Sequence, residues 1–185
     1  MWSEKDCDVF GTLDAGDQKA VRKTYVDAIL QTDMSHHFKM VQDLNKLHTD
    51  ASKQPFDKEK LEDRRYLTGV LVHAADISNP LIPDFELCKN WAERISTEFA
   101  AQYKAEVEKG LPPTKMWANA HTEIGMYQSQ VNFITFIVSP MWTVILDLFP
   151  EFNTKAQLVD ALHNNKDKWT KLVQETTAKN DGESA

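Results

Sequence analysis

His73-Ala74-Ala75-Asp76-Ile77-Ser78-Asn79-Pro80 ends an apolar helical run with a histidine and a carboxylate three residues apart. On a helix, i and i+3 share a face, so this spacing directs the imidazole and the carboxylate to one place. Pro80 stops the helix and biases Asn79 toward an extended conformation. The reading is a polar cluster at the buried end of a helix, fixed by a turn. A carboxylate there must be paired or bound to a metal, because an unpaired buried charge is costly. On spacing alone the pairing role is favoured, since one carboxylate does not make a metal site.

Moving outward, the rest of the chain reads as helical. Its 185 residues are enough for one domain, or a large piece of one, with a proper core. Five Trp and nine Phe in a 42% hydrophobic composition indicate a folded chain, and few Gly and Pro suit long helices. A net charge of -7 argues against a nucleic-acid partner. Cys7 and Cys88 make no disulfide framework, so a reducing, cytoplasmic setting is expected. The residues after Met1 are charged and carry no secretory pattern.

Helical spacing relates Val21, Tyr25, Ala28 and Ile29, with a start at Asp14 to Asp17. Thr32-Asp33-Met34-Ser35 interrupts or bends that helix. A second pattern follows at Phe38, Val41, Leu44 and Leu47, and residues 48–56 read as a loop. Asp57 is the expected N-cap of a helix carrying Leu67, Val70, Leu71 and Ala74 inward. Asp84 caps a long helix whose face reads Leu87 or Cys88, Trp91, Ile95, Phe99 and Tyr103. Gly110, Pro112 and Pro113 stop it. The next helix spans about 120–138, with a kink or break at Pro140. Thr154 to Gln157 has the form of a capping box for a last helix carrying Leu158, Leu162 and Trp169. Residues 176–185 read as a polar, frayed tail. Residues 131–149 are apolar, but Asn132, Ser139, Pro140 and Asp147 interrupt them. No run of about 20 apolar residues exists, so no membrane span is expected.

Gln130 is the second informative residue. Ile124, Tyr127, Val131, Ile134 and Val138 form one apolar stripe, while Met126, Phe133 and Ile137 flank Gln130. A helix apolar on most sides is buried, and a buried amide needs partners. Either Gln130 bonds a neighbouring helix, or its amide recognises the edge of a ligand with Phe133 stacked one turn on.

Three motifs now stand in order: Thr32-Asp-Met-Ser-His-His-Phe38, the opening stretch, and Ser129-Gln-Val-Asn-Phe-Ile-Thr-Phe-Ile-Val-Ser-Pro-Met-Trp142. Together they resemble the class I 3′,5′-cyclic-nucleotide phosphodiesterase catalytic domain, over roughly residues 17–169. The resemblance implies an all-α, multi-helix bundle of the HD-type metal-hydrolase kind. It implies a pocket with two divalent metals, zinc and magnesium (or manganese), and hydrolysis of cAMP and/or cGMP to the 5′ monophosphate. Carried over, Asp76 is a zinc ligand and Gln130 bonds the purine. Phe133 stacks on one face of the base and Ile95 covers the other. Asn79 lines the pocket. Thr32, Asp33, Met34 and His73 support the metal site without ligating it. Homodimerisation stays open.

The departures concern the metal ligands. The family's remaining ligands and its proton-donating histidine belong to a His-rich motif and a His-Asp dyad. None of the six histidines here precedes an Asp. His36 and His37 diverge by about 100° as helix neighbours, so a solvated pair is the reading. The spacing from Pro80 to Trp91 is one residue longer than the family pattern, and the loop from Gly110 to Gln130 is atypical in length. The chain therefore reads as a C-terminal portion, residues 1–175, lacking the family's N-terminal helices and inactive alone. The alternative is a non-catalytic remnant acting as a nucleotide- or protein-binding module.

Overall fold

The computed structural model describes residues 9–50, 55–152 and 156–183. Among them every regular element is helical. The chain divides into two compact units, Met1–Asp76 and Ile77–Ala185. The division falls inside the opening stretch, between its carboxylate and its turn. The expected capping residue Thr154 lies outside the described residues, as do Cys7 and positions 51–54 of the expected loop.

In the first unit, Asp14 caps α1 (Ala15–Leu30) by accepting from the Asp17 N–H at 2.9 Å. Helix α1 ends where the Thr32 hydroxyl donates to the Ile29 carbonyl at 2.9 Å. Asp33 caps a 3₁₀ turn, Met34–His36, by accepting from the Ser35 N–H at 2.8 Å. That turn leads into α2 (His37–Thr49), so the expected interruption is present. Helix α3 (Leu61–Asp76) packs on α1. It starts at Leu61, not after Asp57; the Asp57 carboxylate accepts from the Glu59 N–H at 3.0 Å in a turn that precedes the helix. The buried face of α2 is also rotated from the expected stripe. His37, Met40 and Leu44 point inward, while Phe38 is 65% exposed. On α1 only Ala28 is fully buried, and Tyr25 and Ile29 stand in solvent.

In the second unit, Asp84 caps α4 (Phe85–Glu108) as predicted, accepting from Glu86 and Leu87 N–H. Gly110, at φ +65°, ends it. The Gly110 and Leu111 amides turn back onto the Val107 and Glu106 carbonyls. A left-handed residue is needed for that closure, and glycine adopts it without strain. The following loop is held by Glu106, whose carboxylate accepts from the Thr114 N–H at 2.7 Å, and by Trp117 stacked on Phe99. The buried face of α4 is Cys88, Ala92 and Ser96; Cys88 is the expected alternative to Leu87, but Ala92 and Ser96 replace Trp91 and Ile95, which are exposed.

Thr122 caps α5 (Glu123–Phe133). Of the kink or break expected at Pro140, the break is absent, and the distortion takes the form of a π turn. A π-helical turn, Ile134–Val138, carries α5 directly into α6 (Ser139–Leu148). Proline lacks an amide donor and its ring crowds the carbonyl four residues back; widening the turn relieves both problems while the helix continues. Glu123–Leu148 is thus long and apolar enough to cross a membrane, by length and composition alone. Part of it is buried in the unit's core. Met126, Tyr127, Ile134 and Val138 join Leu81, Cys88, Ala92, Leu162 and Trp169 in one buried cluster. The last helix, α7 (Ala156–Glu183), packs along α5. It continues through the segment read as a frayed tail; residues 176–182 are helical, polar and mostly exposed.

Gly125 leaves no space for a side chain. A Cβ at this position would lie 2.0 Å from the Asn119 carbonyl oxygen and 2.8 Å from the capping Thr122 hydroxyl. Both obstacles fix the entry to α5, so Gly125→Ala is expected to cost about 1–3 kcal/mol or more. Denaturant unfolding of the variant checks this. Wild-type stability would mean that residues 119–122 yield freely.

Candidate functional site

The first unit carries five of the candidates: Thr32, Asp33, Met34, His73 and Asp76. His73 is fully buried, and its Nε2 lies 2.9 Å from Nδ1 of His37, also fully buried. One nitrogen of that contact must donate and the other accept, so the two facing positions share a single proton. Burial holds the His73 imidazole below the usual histidine range; the Asp76 carboxylate and the Thr32 backbone pull it partly back. The expectation of a solvated His36-His37 pair is therefore half wrong. His36 is exposed, but His37 faces the core with Met40 and Leu44 at i+3 and i+7. That spacing was visible in the sequence and was the signal for burial.

Asp76 also departs from expectation. It ends α3 on the exposed side, although His73 three residues earlier is buried. A carboxylate without a buried cation remains in water because desolvating it alone is costly. Thr32 and Asp33 are committed to the local caps described above, and the Ser35 backbone and hydroxyl hold the Asp33 carboxyl below its usual range. Met34 is 42% exposed.

The second unit carries the remaining candidates. Asn79 is exposed and opens a 3₁₀ turn, Asn79–Leu81, in place of the extended conformation expected before Pro80. Ile95 is exposed on α4. Gln130 and Phe133 lie one turn apart on α5, which packs against α4. Gln130 is 8% exposed, and among the described residues its side-chain amide makes no hydrogen bond. The sequence left two readings of this residue. A core glutamine bonded to a neighbouring helix is the one this geometry disfavours. Phe133 is half-buried against the core cluster.

A metal centre requires more donors than these. Among the described residues no group of three or more His, Cys, Asp or Glu is placed to hold an ion. His37 and His73 face each other, and Asp76 stands as a single exposed carboxylate. The described residues therefore do not, by themselves, fit a pair of divalent cations. Sequence reasoning also missed Asn165, which is 1% exposed on α7 and bonded to the turn after Asn79. Its signal was a polar residue within the stripe Leu158, Leu162 and Trp169.

Fold and motifs together define an all-helical domain with a recessed glutamine and an aromatic one turn on. The family model of the 3′5′-cyclic nucleotide phosphodiesterases matches residues 1–159. The chain belongs to that family. It is similar to the mouse 3′,5′-cyclic-AMP phosphodiesterase 4C, at 34% identity over 167 residues, covering 88% of this chain and 24% of the relative. It is similar to the Drosophila melanogaster 3′,5′-cyclic-AMP phosphodiesterase, isoform F, at 32% identity over 177 residues, covering 94% and 26%. The phosphodiesterase domain of the RhoPDE fusion protein from the choanoflagellate Salpingoeca rosetta superposes with a TM-score of 0.86 at 27% identity. That match covers 96% of this chain and 54% of that one. The chain thus spans about a quarter of the curated relatives it matches and about half of the solved domain.

Proposed function

We propose that this chain is the base-recognising portion of a phosphodiesterase catalytic domain that hydrolyses 3′,5′-cyclic nucleotides to 5′ monophosphates in cyclic-nucleotide signalling. Gln130 carries the reading: a recessed amide with no side-chain hydrogen bond among the described residues, on the face that also bears Phe133. Such an amide offers one acceptor and two donors to a purine edge, and either orientation serves adenine or guanine. Phe133 and Ile95 take the two faces of the base, and Asn79 its rim. Stacking and burial supply affinity, while the amide supplies orientation. The two similar proteins named as cyclic-AMP phosphodiesterases support cAMP as substrate; cGMP is the second candidate.

Asp76 is the ligand this chain offers to a zinc and magnesium (or manganese) pair. The remaining donors and the acid that protonates the leaving 3′ oxygen are not among the described residues. A non-catalytic nucleotide-binding module is the second reading, favoured by the lack of a donor cluster among those residues. The buried free thiol of Cys88 is compatible with a reducing, cytoplasmic setting.

Calorimetry with cAMP, cGMP and ribose 3′,5′-cyclic phosphate tests base recognition. Phe133→Ala is expected to weaken binding of both nucleotides by roughly 1–3 kcal/mol, as loss of a stacking partner does. Gln130→Ala is expected to reduce discrimination between them. Equal losses with the baseless ligand would show that neither residue reads the base.

A further inference from the structure

The turn after Asp76 is poor in its own donors. Pro80 and Pro83 bracket it and contribute no N–H. Its internal bonds run from the Leu81 N–H to the Ser78 carbonyl at 2.8 Å and from the Ile82 N–H to the Asn79 carbonyl at 3.2 Å. Two of its carbonyls are satisfied from α7. The Asn165 side-chain amide donates to the Pro80 carbonyl at 2.9 Å and to the Ile82 carbonyl at 2.7 Å. Both partners can only accept, so the NH₂ end must face them and the amide orientation is fixed. One turn further on, Trp169 packs edge-on against Phe85 at the start of α4 and beside Tyr127 of α5. Helix α7 therefore grips the turn bearing Asn79 and the helix bearing Gln130. Asn165 lies beyond residue 159, where the family match ends.

We infer that Asn165 is a positioning residue for the nucleotide site: its two hydrogen bonds hold the Asn79–Leu81 turn and so set Asn79 at the rim of the base pocket. This rests on the reading of Asn79 as a pocket residue. Other side chains of similar size do not substitute. Aspartate would direct two acceptors at two carbonyls, and alanine would leave both carbonyls buried without donors.

Two measurements on the full chain test the inference. In Asn165→Ala and Asn165→Asp, hydrogen exchange at the Leu81 and Ile82 amides is expected to accelerate about tenfold or more, as follows from a lost buried hydrogen bond. Exchange over residues 126–133 of α5 should stay at the wild-type rate. In calorimetry with cAMP, Asn165→Ala is expected to weaken binding, and adding Asn79→Ala to it should produce little further loss. A purely structural asparagine would give no such coupling, so strictly additive losses overturn the positioning role. Unchanged exchange at the turn in both variants overturns it as well. Wild-type chain that binds no cAMP overturns the proposed function, and with it the nucleotide part of this inference, while the exchange result still decides the clamp.

Discussion

Purified and supplied with zinc and magnesium, the 185-residue chain is expected to show no turnover of cAMP or cGMP. A catalytic zinc typically takes three protein ligands and a water. The described residues offer one exposed carboxylate, Asp76, and no donor cluster around it. Two imidazoles of the same unit, His37 and His73, are buried against each other. A polypeptide carrying the N-terminal part of a phosphodiesterase domain, supplied in trans, is expected to produce measurable turnover. In that assembly Asp76→Asn should lower the rate roughly 100-fold or more, exceeding the cost of losing an outer partner of a metal ligand. Turnover by the chain alone would show that the ligand inventory is incomplete. Wild-type turnover by the Asn variant would remove Asp76 from the metal site.

The largest stability effect is expected at Trp169. Its side chain is fully buried and contacts Phe85 and Tyr127 with ring centroids 4.9 and 5.6 Å away. It belongs to the cluster that ties α4, α5 and α7 into one unit. Trp169→Ala removes a large apolar side chain and leaves a cavity that three helices cannot close, a loss of about 3–5 kcal/mol. Denaturant unfolding followed by circular dichroism measures it. A loss below about 1 kcal/mol would mean that the cluster repacks and that α7 is dispensable for the unit.

Much of the local structure was legible in the residues. Asp14, Asp84 and Gly110 mark helix ends because caps and left-handed closures depend on side-chain type, a property of one position. Which way each helix faces was less legible. The stripes on α2 and α4 met the observed faces at Leu44 and Cys88, but His37, Met40, Ala92 and Ser96 are buried where neighbouring positions were expected. Apolar residues such as Phe38 and Trp91 suggest burial by type, yet they stand in solvent while His37 and Ser96 are inside. A polar residue takes a core position when a partner meets it there, and that partner can be distant in sequence: His73 for His37. At Pro140 the local rule located the disturbance but left its form open; a π turn accommodates the ring and the helix continues.

The sequence by itself determined the helical class, the caps at Asp14 and Asp84, the three ordered motifs and the family resemblance they carry. These follow from periodicity, residue type and spacing along the chain. Only the tertiary structure decided that Asp76 is exposed, that His37 and His73 bond to each other, that the Gln130 side chain makes no hydrogen bond among the described residues, and that Asn165 bonds the turn after Asn79. The reason is physical: burial and hydrogen bonding depend on which groups meet across gaps of tens of residues, and those meetings arise only when the helices pack.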